Sequence, residues 1–139
     1  MKNIKNKKIC IVISIYNNEI TSQTLNLTKA TLKKRGLNKI DIFEVPGAFE
    51  IPGVISRLIK RYDGFIAIGC VIKGKTNNFD LICDSITKGI MNLSINYKKP
   101  IGNALITVMN KKQAEGRIFK GDSAARAVVD VLINEPKKA

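Results

Sequence analysis

Residues 8–14 read KICIVIS, and the fold follows from how that stretch is built. Positions 9–13 are apolar without a break, and four of those five residues are β-branched. A strand with one wet face alternates apolar and polar residues. A strand covered on both faces reads as a continuous apolar run. The pattern therefore predicts a central parallel strand from Lys8 to Ser14. Phe65 to Ile72, FIAIGCVI, predicts another of the same kind. Lys39 to Val45 (KIDIFEV) and Ile101 to Val108 (IGNALITV) complete a set of four.

Helical patterns fill the intervals. Glu19 to Arg35 carries Ile20, Leu27 and Ala30 broadly on one face and stops at Gly36. Pro46-Gly47 ends the second strand, and a helix around Pro52 to Arg61 follows. Pro52 has no N–H to donate, so it fits only the first turn. Phe79 to Tyr97 repeats Ile82, Ile86, Ile90, Leu93 and Tyr97 every three or four residues. Lys111 to Arg117 and Asp122 to Ile133 supply the last helical segments. Alternating strands and helices in a chain of 139 residues predict one α/β domain. It has three layers, a four-stranded parallel sheet with helices on both faces and right-handed crossovers. Residues 1–8 and 134–139 are expected to be flexible tails.

Composition narrows the chemistry. There is no histidine, which excludes histidine-ligated zinc and Ser-His or Cys-His nucleophile systems. Cys10, Cys70 and Cys83 are odd in number and lack CxxC spacing, as expected of reduced thiols in a cytosolic protein. Four lysines in residues 1–8 ahead of an apolar run look like the start of a signal peptide. The run is short, however, and Asn17-Asn18 follows it without a small-residue cleavage pattern, so a buried first strand is the better reading. No stretch approaches the roughly 18 apolar residues of a membrane span. The chain reads as cytoplasmic, with no membrane partner. The formal charge is +13, from 24 basic and 11 acidic residues. The lysines are scattered, without an aromatic-interleaved stripe or recognition motif, so no nucleic-acid partner is expected. Such a surface still concentrates anionic substrates.

Sites in open α/β sheets lie beyond the carboxyl ends of the strands. That rule selects residues 15–18, 45–50, 73–80 and 107–110. The third segment overlaps Gly69-Cys70-Val71-Ile72-Lys73-Gly74-Lys75-Thr76, which fits the phosphate-loop pattern GxxxxGK[ST]. Its middle, Cys-Val-Ile, reads as continuing strand rather than loop, and the fourth strand leads to Asn110 instead of a magnesium-binding aspartate. A nucleotide site is therefore the weaker reading. Gly74, Lys75 and Thr76, between a strand and a helix start, still suit a phosphate or carboxylate; a plain tight turn is the alternative. In VPGAFEIP, residues 45–52, the Pro-Gly turn exposes backbone donors. Glu50 there is either a ligand for hydroxyls and amines or a carboxylate favoured by a helix start.

VPGAFEIP, YDGFIAIGCVIKGKTNNFD at 62–80, KGI at 88–90, and QAEGR at 113–117 followed by KG at 120–121 occur in order. Together they closely resemble the 6,7-dimethyl-8-ribityllumazine synthase family, from Ile9 to about Leu132. The resemblance implies a flavodoxin-like fold and a place in riboflavin biosynthesis. It implies condensation of 5-amino-6-ribitylamino-pyrimidinedione with 3,4-dihydroxy-2-butanone 4-phosphate, with loss of phosphate and water and with no cofactor or metal. It also implies pentamers or multiples of pentamers, sites at subunit boundaries, and a functional link to riboflavin synthase. Residue by residue, the resemblance implies the following roles: Tyr16 stacks on the pyrimidine and Asn17 accompanies it. Ala48 and Phe49 offer backbone contacts, Glu50 binds the ribityl chain, and Val71 and Ile72 line the pocket. Gly74, Lys75 and Thr76 form the phosphate turn. Arg117, and with a weaker match Lys120, reach the phosphate from the neighbouring subunit.

Several positions depart from the family pattern. Asn78 stands where most members carry histidine, the proposed proton-transfer group. Ile15 replaces a common arginine, Ser123 replaces a glutamate, and the loop from Arg117 to Lys120 is shorter than in many members. Asn103 lies where many members place an aromatic residue and others an asparagine. These departures leave a binding or assembly protein with weakened catalysis as the alternative.

Overall fold

The computed structural model describes residues 4–74 and 78–134. Its four strands are β1 (Lys8–Ser14), β2 (Lys39–Val45), β3 (Gly64–Ile72) and β4 (Ile101–Val108). They form one parallel sheet in the order β2-β1-β3-β4, the flavodoxin-like arrangement. Ile11 pairs with Ile42 on one side and with Ile66 on the other. The two central strands are the two continuous apolar runs: 9–14 of β1 and 64–70 of β3 are buried throughout. The edge strands β2 and β4 carry mixed patterns, because each has more contact with water.

Helices α1 (Asn18–Lys34) and α5 (Lys120–Ile133) cover one face; α2 (Ile51–Leu58) and α3 (Asn78–Tyr97) cover the other. The short α4 (Lys111–Glu115) packs Ala114 on the α1 side, against Ile106 and Val108. Pro52 falls in the first turn of α2, as its missing donor requires. That helix stops at Leu58 rather than Arg61, whose N–H closes a turn onto the Leu58 carbonyl at 2.9 Å. Of the two expected tails, residues 1–3 and 135–139 lie outside the described residues, and part of 4–8 packs on the domain. Ile4 is buried in the core beneath α5, and Lys8 already belongs to β1.

The buried stripe of α1 is Ile20, Thr21, Thr24, Thr28 and Leu32. Leu27 and Ala30, expected on that face, are exposed. The cause is a close approach of α5. A Cβ at Gly121 would stand 2.4 Å from the Thr24 carbonyl oxygen and 2.7 Å from the Thr28 hydroxyl. Short side chains let the helices close to this distance. The buried Thr24 and Thr28 hydroxyls donate to the carbonyls of Ile20 and Thr24, at 2.9 and 2.8 Å, so no donor is stranded.

Candidate active site

From β1 the chain moves to β2 on one side, and from β3 it moves to β4 on the other. A crevice opens where these directions diverge, at the carboxyl ends of β1 and β3. A cavity of about 180 Å³ lies there. It is lined by Tyr16 and Asn17 after β1, Ala48 and Phe49 after β2, and Val71 and Ile72 at the end of β3. All six are residues that the sequence singled out. Gly47, whose turn the sequence also picked out, lines it as well, as do Cys70 and Ile82, which were not singled out as site residues.

Local backbone chemistry holds each part in place. The N–H groups of Ile15 and Tyr16 donate to the carbonyls of Val45 and Pro46, at 2.9 and 3.2 Å, so the loops after β1 and β2 run on together. Asn17 sits at φ 60°, a left-handed conformation that asparagine tolerates. Its side-chain amide donates to the Cys70 carbonyl at 2.9 Å. The Tyr16 ring is left 71% exposed at the rim and Phe49 61%, two aromatic faces with little protein over them.

Residues Ala48–Glu50 form a single 3-10 turn. The Gly47 N–H donates to Glu50 Oε1 at 2.9 Å, and the Glu50 N–H donates back to the Gly47 carbonyl at 3.2 Å. The Glu50 carboxylate thus closes its own turn. This turn rests on Gly69 of β3, where a Cβ would meet Ala48 at 3.0 Å and Ile51 at 3.2 Å. A side chain at position 69 would crowd the turn and force Ala48 and Ile51 to give way. VPGAFEIP and the Gly-Cys-Val-Ile run are therefore the two halves of one contact.

The phosphate-loop reading is not favoured, because the first half of the motif is strand. Gly69 to Ile72 is strand, paired with β4 from Leu105 to Val108, and no loop wraps there. Gly74 follows as an exposed residue, and Lys75 and Thr76 lie outside the described residues. Asn78 opens α3 and is exposed. Asn110 caps α4, accepting from the Gln113 N–H at 2.9 Å while Gln113 Oε1 accepts from the Met109 N–H at 2.8 Å.

Glu50, Gly74 and Asn78 are not among the residues lining the cavity, and neither are Arg117, Lys120 and Asn103. Arg117 is exposed in the turn between α4 and α5. Lys120 is half-buried, and its ammonium donates to the Leu105 carbonyl at 2.5 Å. Burial, and then the Arg117 charge, hold its pKa below the usual lysine value. Asn103 is exposed on β4, its side-chain oxygen accepting from the Leu105 N–H at 3.0 Å. Burial pushes the Cys70 thiol up, so it is protonated at neutral pH and makes a poor nucleophile. Among the described residues, no group of three or more His, Cys, Asp or Glu could hold a metal ion, and no helix is long and apolar enough to cross a membrane.

Residues 6–134 match the model of the family described as 6,7-dimethyl-8-ribityllumazine synthase. The chain belongs to that family. Among proteins carrying that name, the one from Lactiplantibacillus plantarum is 40% identical over 131 residues, covering 90% of this chain and 82% of its own. The one from Bartonella bacilliformis is 38% identical over 136 residues, 91% and 89% of the two chains. That from Limosilactobacillus reuteri is 38% identical over 117 residues, 83% and 77%. The match spans all four strands and all five helices of the described residues, so the lumazine synthase family accounts for the described fold.

Proposed function

We propose that this protein condenses 5-amino-6-ribitylamino-pyrimidinedione with 3,4-dihydroxy-2-butanone 4-phosphate to give 6,7-dimethyl-8-ribityllumazine, phosphate and water, in the riboflavin biosynthesis of the cytoplasm. One observation carries the reading. Segments from the ends of three strands meet at the switch point around an aromatic-rimmed slot, on a chain of this family. Tyr16 and Phe49 offer flat faces to the pyrimidine, and Val71 and Ile72 form its apolar floor. The carboxylate of Glu50, beside the slot, takes the ribityl hydroxyls through its second oxygen. Gly74, Lys75 and Thr76 receive the phosphate of the second substrate. The amine condenses with the ketone to an imine and a first water leaves; phosphate is then eliminated, and after tautomerisation the ribityl-bearing nitrogen closes onto the remaining carbonyl with loss of a second water.

Arg117 completes the phosphate site from a neighbouring subunit, with Asn103 and Lys120 on the same edge. In this chain Arg117 stands in the α4–α5 turn, away from the cavity. A forked guanidinium suits phosphate. Exposed Leu81, Met91 and Ile95 along α3 supply apolar surface that a ring of identical subunits covers, in a pentamer or a multiple of it.

Asn78 does not stand in the way of turnover. A general base typically contributes about 10²–10⁴-fold, whereas holding two reactants in register contributes as much as about 7–11 kcal/mol. The larger effect does not depend on position 78. Mixing the purified protein with both substrates and following lumazine absorbance tests the reading. Formation faster than in a protein-free control, undiminished by EDTA and without ATP, is expected. No acceleration overturns it.

A further inference from the structure

Leu105 lies on β4, an edge strand. The carbonyls of Pro100 and Val108, at either end of that strand, accept from Phe65 and Lys73 on the β3 side, at 3.0 and 2.9 Å. Backbone groups alternate sides along a strand, so the odd-numbered residues of β4 turn theirs away from β3. Outward groups on an edge strand are ordinarily open to water or to another chain. At Leu105 both are taken by side chains of this protein. Its N–H donates to Asn103 Oδ1 at 3.0 Å, and its carbonyl accepts from Lys120 Nζ at 2.5 Å.

Lys120 opens α5, three residues after Arg117. Its N–H donates to the Arg117 carbonyl at 3.0 Å, and the Arg117 N–H donates to the carbonyl of fully buried Ala114 at 3.0 Å. The short turn that presents Arg117 is therefore anchored twice: under α4 through Ala114, and on the sheet edge through the Lys120 side chain. The depressed Lys120 pKa, with Arg117 among its causes, agrees with a partly dehydrated ammonium close to that guanidinium.

We infer that Lys120 is a positioning residue: its ammonium ties the first turn of α5 to the free edge of β4 and so fixes the place from which Arg117 reaches phosphate. This rests on the phosphate role proposed for Arg117. The alternative is that Lys120 binds the phosphate itself.

Lys120→Met keeps the apolar stem and removes the donor, and Lys120→Arg keeps a donor. Amide hydrogen exchange of residues 117–122 is read in the ligand-free protein, and saturation by the phosphorylated ketone in the assay. With methionine, exchange quickens and KM for the ketone rises, each on the order of tenfold, as the loss of one hydrogen bond from a charged group gives. The turnover number changes far less, and arginine restores both readouts. Lys99→Met removes a different lysine-to-carbonyl bond, to Ile59 at 2.6 Å, at the amino-terminal end of β4, and alters neither. A raised KM with unchanged exchange makes Lys120 a direct phosphate ligand and overturns the inference; so does an effect on neither. If no form of the protein makes lumazine, the functional reading fails, while the exchange measurement still decides the tether.

Discussion

The side-chain amide of Asn17 donates to the main-chain carbonyl of Cys70 at 2.9 Å, joining the loop after β1 to the end of β3 across the floor of the slot. Its removal in Asn17→Ala is expected to lower stability by about 1–3 kcal/mol, the cost of a stranded, partly buried acceptor. Alanine must also adopt the left-handed backbone at φ 60°. Asn17→Asp separates the two effects, because aspartate tolerates that backbone but turns an oxygen toward an oxygen. Urea midpoints decide between them. An aspartate variant as stable as the parent would show that the bond contributes nothing.

Arg117→Ala is expected to weaken use of the phosphorylated ketone far more than binding of the pyrimidine, and Tyr16→Ala to do the reverse. Charge-assisted bonds to phosphate are among the stronger polar contacts, and the forked donor adds to them. If sites are shared, two inactive parents complement. Chains carrying Tyr16→Ala with Glu50→Gln, co-refolded in equal amounts with Arg117→Ala chains, leave about a quarter of boundaries intact in closed rings. Verified mixed rings with only the parents' residual rate would rule out the shared site.

Asn78→His places a titratable imidazole at the exposed start of α3. Turnover is expected to rise by at most about 10²–10⁴-fold, the range of a general base. The rate should also become dependent on pH near the histidine pKa, about 6.5. Should Asn78→Ala and Asn78→His both match the parent rate, position 78 has no part in proton transfer.

At the other end of the sheet, the Tyr62 hydroxyl donates to Asp41 at 2.6 Å, and its ring packs edge-on against Phe43 and Phe65. Burial first, then the bond to Asp41 and the carboxylate charge, push its pKa from 10.0 up to about 12. The folded protein therefore holds this proton more tightly than the unfolded chain. The resulting stability is complete below pH 10 and is lost as pH rises toward 12. An alkaline absorbance titration should show one of the three tyrosines ionising late. Tyr62→Phe should abolish that phase and flatten the loss of stability between the two values.

The central strands were legible because burial on both faces removes alternation, so that 9–13 and 65–72 read as near-continuous apolar runs. The slot was legible because three of its segments end strands and belong to recognisable motifs. What escaped had no side-chain signature. Cys70 acts through its carbonyl, and Gly69 acts by being small beneath Ala48. The buried face of α1 is largely threonine, which apolar periodicity does not register. Asn103 and Lys120 were noticed for their resemblance to substrate ligands. Their shared attachment to Leu105 depends on which way one edge residue turns its backbone.

Gly121 leaves no room for even a methyl group against the Thr24 carbonyl. The helix holding Thr24 begins just after Tyr16, and the helix holding Gly121 begins just after Arg117. If each subunit offers Tyr16 to the boundary on one side and Arg117 to the boundary on the other, this contact acts as a ruler. The interval from one reaction centre to the next is then set inside the subunit, at a joint with no slack, and not at the seams between subunits.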